Sequence, residues 1–200
     1  MNYLAHAALS LDERDLVTGN LISDFVKGKA QYDLPAGIQK GIRLHRIIDE
    51  FTDSHPVTAR AKLWFRPQYR LYSGAFVDVV YDHFLAMDAR QFASFGGLRI
   101  FTSRVYQYLD ENQAFLPERF ERMVPFMKSQ NWLYNYQFMT GIRDSFQGVV
   151  RRAAYLNESQ IAYEIFQNSY EALRSCYEEF YPELATFATE NARRLLAGNI

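Results

Sequence analysis

The chain has 200 residues, 48% of them hydrophobic and 22% charged, which is enough apolar side chain to bury one sizeable core and excludes a disordered polyelectrolyte. A formal net charge of −1 gives no global field to attract nucleic acid or an anionic membrane, and the lone Cys176 excludes an intramolecular disulfide or a Cys-rich metal cage. No apolar run reaches the roughly 18 residues of a membrane helix, and the opening "MNYLAHAALSLDERD" lacks the basic start of a signal peptide, so the expected setting is the cytoplasm, without membrane insertion.

Apolar positions recur at three and four rather than two, which predicts a nearly all-α chain, a single-domain helical bundle over 1–200. Helices are expected at about 2–10, 12–27, 35–53, 56–66, 69–87, 98–112, 117–129, 131–151, 157–180 and 182–197. The six prolines, at 35, 56, 67, 117, 125 and 182, fall at expected helix starts or breaks. "NESQ" at 157–160 reads as a capping box, Asn157 accepting from first-turn amides and Gln160 reaching back. "GGLRIFTSRVYQYL" is rich in β-branched and aromatic residues, yet Leu98, Phe101, Val105 and Tyr108 fit a helix face.

Four of the predicted helices carry residues that an apolar face does not need. His6 stands alone among the apolar residues of "NYLAHAAL". Asn20 and Asp24 are one turn apart in "LVTGNLISDFVKG". In "GIRLHRIIDEFTDSHP", at about 100° per residue, Leu44, Ile47, Ile48 and Phe51 form a buried arc, and His45, Asp49 and Asp53 run along its edge. His55 precedes Pro56 in a helix-to-helix turn and reads as exposed. In "SGAFVDVVYDHFLAM" the helix is apolar almost all round, yet holds Asp78 and Asp82 one turn apart with His83 adjacent, and no Lys or Arg occurs in 71–89. A buried ionised carboxylate needs a partner, so the acids imply a cation from elsewhere in the fold or a metal. Taken singly, the His45–Asp49 pair also reads as a surface hydrogen bond, and His6 as a hydrogen-bonded core residue.

Together, imidazole and carboxylate without thiolate describe a site for a hard or borderline divalent ion: manganese, magnesium, zinc or ferrous iron. Such an ion suits hydrolysis at phosphorus. The di-iron carboxylate bundle uses paired Glu-x-x-His motifs, and none occurs here.

"MNYLAHAALS", "GNLISDFVKG", "GIRLHRIIDEFTDSHP", "DHFLA" and "NWLYNY" followed by "GI" resemble, in the same order and over nearly the full length, the acyl carrier protein phosphodiesterase family. The resemblance implies an all-helical, metal-dependent phosphohydrolase related to the HD superfamily, which removes 4′-phosphopantetheine from holo-acyl carrier protein, usually with manganese. The HD superfamily is named for an adjacent His-Asp dyad, whereas this chain offers His45 with Asp49 one turn later and Asp82-His83 in reversed order. On that reading Asp24, His45, Asp49 and Asp82 hold the ion. His83 is a fifth ligand or a proton donor, and His6 orients water or protonates the leaving group. Arg43, Arg46, Arg143, Arg151 and Arg152 are candidates for the phosphate oxygens. Ser54–Val77 contains no Asp or Glu, and its Arg60, Lys62, Arg66 and Arg70 are expected to dock the acidic carrier protein. The alternatives are a phosphohydrolase acting on a nucleotide or another small phosphoester, and a non-catalytic helical binding module.

Overall fold

The computed structural model describes residues 1–198, and among them there are helices and 3-10 turns but no strands. The α-helices are α1 (Tyr3–Ala8), α2 (Arg14–Ile22), α3 (Ala36–Ser54), α4 (Pro56–Tyr69), α5 (Ser73–Met87), α6 (Ala89–Phe92) and α7 (Leu98–Glu111), then α8 (Glu118–Glu121), α9 (Val124–Ser129), α10 (Trp132–Asn135), α11 (Met139–Arg152), α12 (Gln160–Asn168) and α13 (Tyr170–Leu196). None of them is long and apolar enough to cross a membrane. The expected all-α class is therefore what forms, and 98–112 is a helix that buries Phe101, Val105 and Leu109.

Several boundaries differ from expectation for identifiable reasons. Pro67 and Pro182 lie inside α4 and α13 rather than at breaks. An internal proline costs about 3 kcal/mol, but α13 offsets this by burying a long face that includes Leu173, Phe180, Leu184, Ala188 and Leu195. The expected helix over 157–180 is instead cut at Ser169, between α12 and α13. The capping box at 157–160 does not form. Glu158 accepts from the Ile161 amide at 3.2 Å, while Gln160 reaches forward to Glu164 at 3.0 Å. The expected 131–151 helix is broken into α10 and α11, and 117–129 into α8 and α9. The helix expected over 12–27 ends at Ile22 and passes into the 3-10 turn Ser23–Phe25, which takes Asp24 off the helix. His55 is not an exposed turn residue. It caps α4, its Nδ1 accepting from the Val57 amide at 3.3 Å, and its ring packs edge-on to Phe180.

The core is an aromatic stack in which Phe65 lies parallel to Phe76 at 5.7 Å and Phe146 meets Phe76 edge-on at 5.2 Å. Two placements on that core matter for function. The first is α3 against α2, which touch at glycine: a Cβ on Gly19 would sit 2.0 Å from the Ile38 carbonyl oxygen, and one on Gly41 2.4 Å from that of Leu16. The second is α1 against α5. Asp82 on α5 is fully buried and accepts from the amides of Asn2 at 3.2 Å, Leu4 at 2.7 Å and Ala5 at 3.3 Å. It thus satisfies three of the donors that a helix start leaves unpaired. Asp82 was expected to hold a metal ion. Burial pushes its carboxyl up to about 7 against the pull of the Met1 ammonium and these amides, and the amides occupy both of its oxygens.

This tether yields a stability prediction. Asp82→Ala leaves buried amide donors without acceptors, a loss on the order of 3 kcal/mol. It should appear as a clear drop in the urea midpoint, and an unchanged midpoint would show that α1 is held by packing alone.

Candidate metal centre

The site forms where α1, α2 and α3 meet, and one residue joins all three. Asn20, fully buried on α2, accepts with Oδ1 from His6 Nδ1 at 2.7 Å. Its Nδ2 donates to the His6 carbonyl at 3.0 Å and to Ser10 Oγ at 2.9 Å. Its main-chain carbonyl accepts from His45 Nδ1 at 2.8 Å. Oxygens that only accept require hydrogen on both Nδ1 atoms, so each neutral imidazole presents a bare Nε2 lone pair. The two rings are stacked, with centroids 4.0 Å apart and planes inclined by 15°.

Both Nε2 atoms are buried, and neither has a hydrogen-bond partner of acceptable geometry. Carboxylate oxygens nevertheless crowd them: Asp49 lies 3.2 Å from His6 Nε2 and 3.0 Å from His45 Nε2, and Asp24 lies 3.4 Å from the latter. Lone pairs facing carboxylates repel unless a proton or a metal cation lies between them, so this pocket can take up either a proton or a divalent ion. The ligand atoms of His6, His45 and Asp49 all lie within 4.8 Å of one another, and this is the triad that could hold a metal among the described residues. Two borderline nitrogens and a hard carboxylate fit such an ion, and Asn20 supplies the outer contacts that fix the ligands' orientation.

Without an ion, a proton on His45 meets the same crowding of carboxylates. Burial and the neighbouring His45 push His6 down to about 4. Burial opposes charge on His45 as well, but Asp24 and Asp49 outweigh it and hold its imidazole up to about 9. Asp49 stays well below the usual carboxylate range, because His45 and His6 outweigh the effect of its burial. Asp78 hydrogen-bonds the Met1 ammonium at 3.1 Å beside this cluster, and burial raises its carboxyl.

The triad faces a cleft of about 380 Å³ whose walls also include Lys27, Asp78, Arg119 and Arg152. Arg119 has no local signal in the sequence. It comes from the single turn α8, and its guanidinium sits 6.0 Å from the Phe25 ring.

The other expected site residues are distributed as follows. Asp24, His45 and Asp49 come together, and His6, expected to orient water or give a proton, lies among them, whereas Asp82 does not. His83 is removed from the cluster. Its Nδ1 donates to the Tyr136 carbonyl at 2.7 Å, and its Nε2 lies 2.9 Å from the Tyr170 hydroxyl, so it is a buried structural histidine. Arg43 and Arg46 are exposed on α3 and Arg143 on α11, and none of them lines the cleft. Arg152 lines it, and Arg151 lines an adjoining one. Asp53 leaves the row to pair with Lys62 at 2.7 Å, and Arg60 pairs with Glu179. Lys62, Arg66 and Arg70 line a second groove that shares Ala75 and Asp78 with the metal-side cleft.

The family model described as acyl carrier protein phosphodiesterase matches residues 1–184. Relatives bearing that name are similar over almost their whole length. The protein from Klebsiella pneumoniae strain 342 is 33% identical over 94% of this chain and 97% of its own, and that from Photorhabdus laumondii is 30% identical over 91% and 92%. One from Escherichia coli O6:H1 is 30% identical over 96% of this chain and 100% of its own. No solved structure matches.

Two outcomes test the centre. Asn20→Ala should weaken divalent-ion binding by about 10-fold or more, since it removes the side-chain oxygen that orients His6 while the main-chain carbonyl that holds His45 remains. Because His45 is protonated below about pH 9 without metal, ion uptake near neutral pH should release a proton, and affinity should rise with pH up to that value. Calorimetry in buffers of different ionisation enthalpy reads both, and binding without proton release would remove His45 from the ligand set.

Proposed function

The chain belongs to the acyl carrier protein phosphodiesterase family, and from that premise we propose that it hydrolyses the phosphodiester joining 4′-phosphopantetheine to a serine of holo-acyl carrier protein. The observation that carries this reading is the pair of buried, unpartnered Nε2 atoms of His6 and His45 facing Asp49 in a cleft with arginines on its wall. We take His6, His45 and Asp49 as the ligands of one divalent ion, with Asp24 beside them, and manganese as the first ion to test; magnesium, ferrous iron and zinc suit the same donors.

Such an ion supplies charge neutralisation at a phosphoryl oxygen and acidifies water. The chain's own residues do the rest. Asn20 keeps both imidazoles in the tautomer that leaves Nε2 bare. Arg119 and Arg152 place planar donors where the non-bridging oxygens of a phosphodiester lie, a geometry that guanidinium matches better than ammonium. Water oxygen joins phosphorus, the phosphorus–serine oxygen bond breaks, and the serine oxygen takes up a proton, leaving apo-protein and free 4′-phosphopantetheine. Acyl carrier proteins are acidic, and the groove of Lys62, Arg66 and Arg70 adjoins the metal-side cleft at Ala75 and Asp78. Lys62 is already paired with Asp53, while Arg66 and Arg70 have no carboxylate partner among the described residues. These two arginines are the principal docking charges.

His45→Ala and Asp49→Ala should each abolish release of phosphopantetheine, read by the mass of the carrier protein after incubation with Mn²⁺, with far-UV helicity retained. Full turnover in either would dismiss that residue as a ligand. Arg66→Glu combined with Arg70→Glu should raise KM for holo-acyl carrier protein about tenfold or more in low salt and change kcat little. A parental KM would place the docking surface elsewhere.

A further inference from the structure

The metal-side cleft adjoins a second space, which shares no lining residue with the basic groove. This is a narrower cleft of about 200 Å³ that shares Asn2, Tyr3 and Arg152 with the metal side. Its lining also includes Trp132 and Tyr136, with Ser145 and Gly148 of α11. Aromatic side chains line it together with amide and hydroxyl groups, Asn135 and Gln130 included. Three spaces thus lie in series: a basic groove, the metal-side cleft and this narrow one.

Gly148 sharpens the reading. Glycine within a helix costs about 0.5–1 kcal/mol relative to alanine, and packing normally explains it. Gly141, about two turns earlier on α11, is explained in that way, since a Cβ there would lie 2.0 Å from the Asn135 carbonyl oxygen. At Gly148 a Cβ would meet nothing closer than Arg152 Nη1 at 3.7 Å. No neighbouring protein atom needs Gly148 to be small, so what its missing side chain preserves is the open space of the cleft.

We infer that the narrow cleft binds the pantetheine limb of the substrate. This rests on the hydrolase reading above and adds to it the side on which each half of the phosphodiester lies. The carrier protein sits on the Arg66–Arg70 side, phosphorus sits between the triad and Arg152, and the limb runs away from the protein between Trp132 and Gly148. The chemistry of the limb matches the walls. Its geminal dimethyl group and methylene segments suit Trp132 and Tyr136, and its two amides suit Asn135, Gln130 and Ser145.

The test uses full-length protein with Mn²⁺, in a Trp64→Phe background so that Trp132 alone reports by fluorescence, and two probes, inorganic phosphate and 4′-phosphopantetheine. Phosphopantetheine should change Trp132 emission and bind at least about tenfold more tightly than phosphate. Gly148→Leu, which fills the cleft, should remove that advantage while phosphate and Mn²⁺ affinities stay at parental values. Gly148→Ala, for which the structure has room, should fold normally and lose part of the advantage, so the result does not depend on the bulkier variant. Equal affinity for the two probes, or a Gly148→Leu protein that binds phosphopantetheine like the parent, overturns the assignment of the limb while leaving the hydrolase reading in place. Failure of the parent to bind Mn²⁺ or phosphate defeats the hydrolase reading, and this inference with it.

Discussion

The centre depends on how closely α2 and α3 approach. Glycine at both crossing positions lets the two backbones come together at a distance that any Cβ would forbid. That approach puts the Asn20 carbonyl 2.8 Å from His45 Nδ1. The Asn20 side chain then reaches the other way to His6. One residue therefore sets the tautomer and orientation of imidazoles from two different helices, and stacking at 4.0 Å keeps their Nε2 atoms on the same side. Moving α2 by the thickness of a methyl group would break at least one of these hydrogen bonds.

The acids around this point show how burial is reconciled with charge. Asp82 is sealed among the amides that start α1, Asp78 faces the Met1 ammonium, and Asp49 faces two imidazoles. Asp82 and Asp78 sit where the fold supplies hydrogen-bond donors or positive charge, because isolated ionised groups are not tolerated in an apolar interior, while Asp49 lies where a protonated His45 or an ion meets its charge. The difference lies in what remains for a ligand. The oxygens of Asp82 are consumed by backbone, so it is structural. Asp49 is 41% exposed to the cleft and has no donor of good geometry on either imidazole, so its negative charge is available. Lys27, Arg119 and Arg152 on the same wall balance that charge and make the cleft hospitable to an anion that binds through a cation.

How much of this is legible in the sequence depends on whether the partners share a helix. His45 and Asp49 are four residues apart, and the helical repeat alone puts them side by side at 3.0 Å. Asp24 was readable as a candidate for the same reason, through its spacing from Asn20, although it proves to lie on the 3-10 turn after α2. Asn20 was visible as an inward polar residue, but its role as a hinge between two histidines has no local signature. Arg119 was missed altogether, since a single helical turn gives no periodicity to read. Asp82 and His83 meet amides, a carbonyl and a tyrosine hydroxyl away from the cluster, partners that the sequence does not distinguish from a metal because an inward carboxylate or imidazole reads the same with either. The helix boundaries at Pro67 and Pro182 failed on a similar competition, in which local proline cost is outweighed by burial that only packing reveals.

The sequence by itself determined the all-helical class, the His45–Asp49 row, and a donor set of nitrogen and oxygen without sulfur. These follow from composition and from a repeat of 3.6 residues, which is a property of the backbone and holds wherever the helix lies. The tertiary structure alone decided that His6 joins the cluster, that Asp82 is spent on tethering α1, and that the metal-side cleft shares lining with two neighbouring spaces. Those outcomes are distances between helices remote in sequence, and such distances are fixed by which surfaces pack and how closely, down to the presence of Gly19 and Gly41 at one crossing.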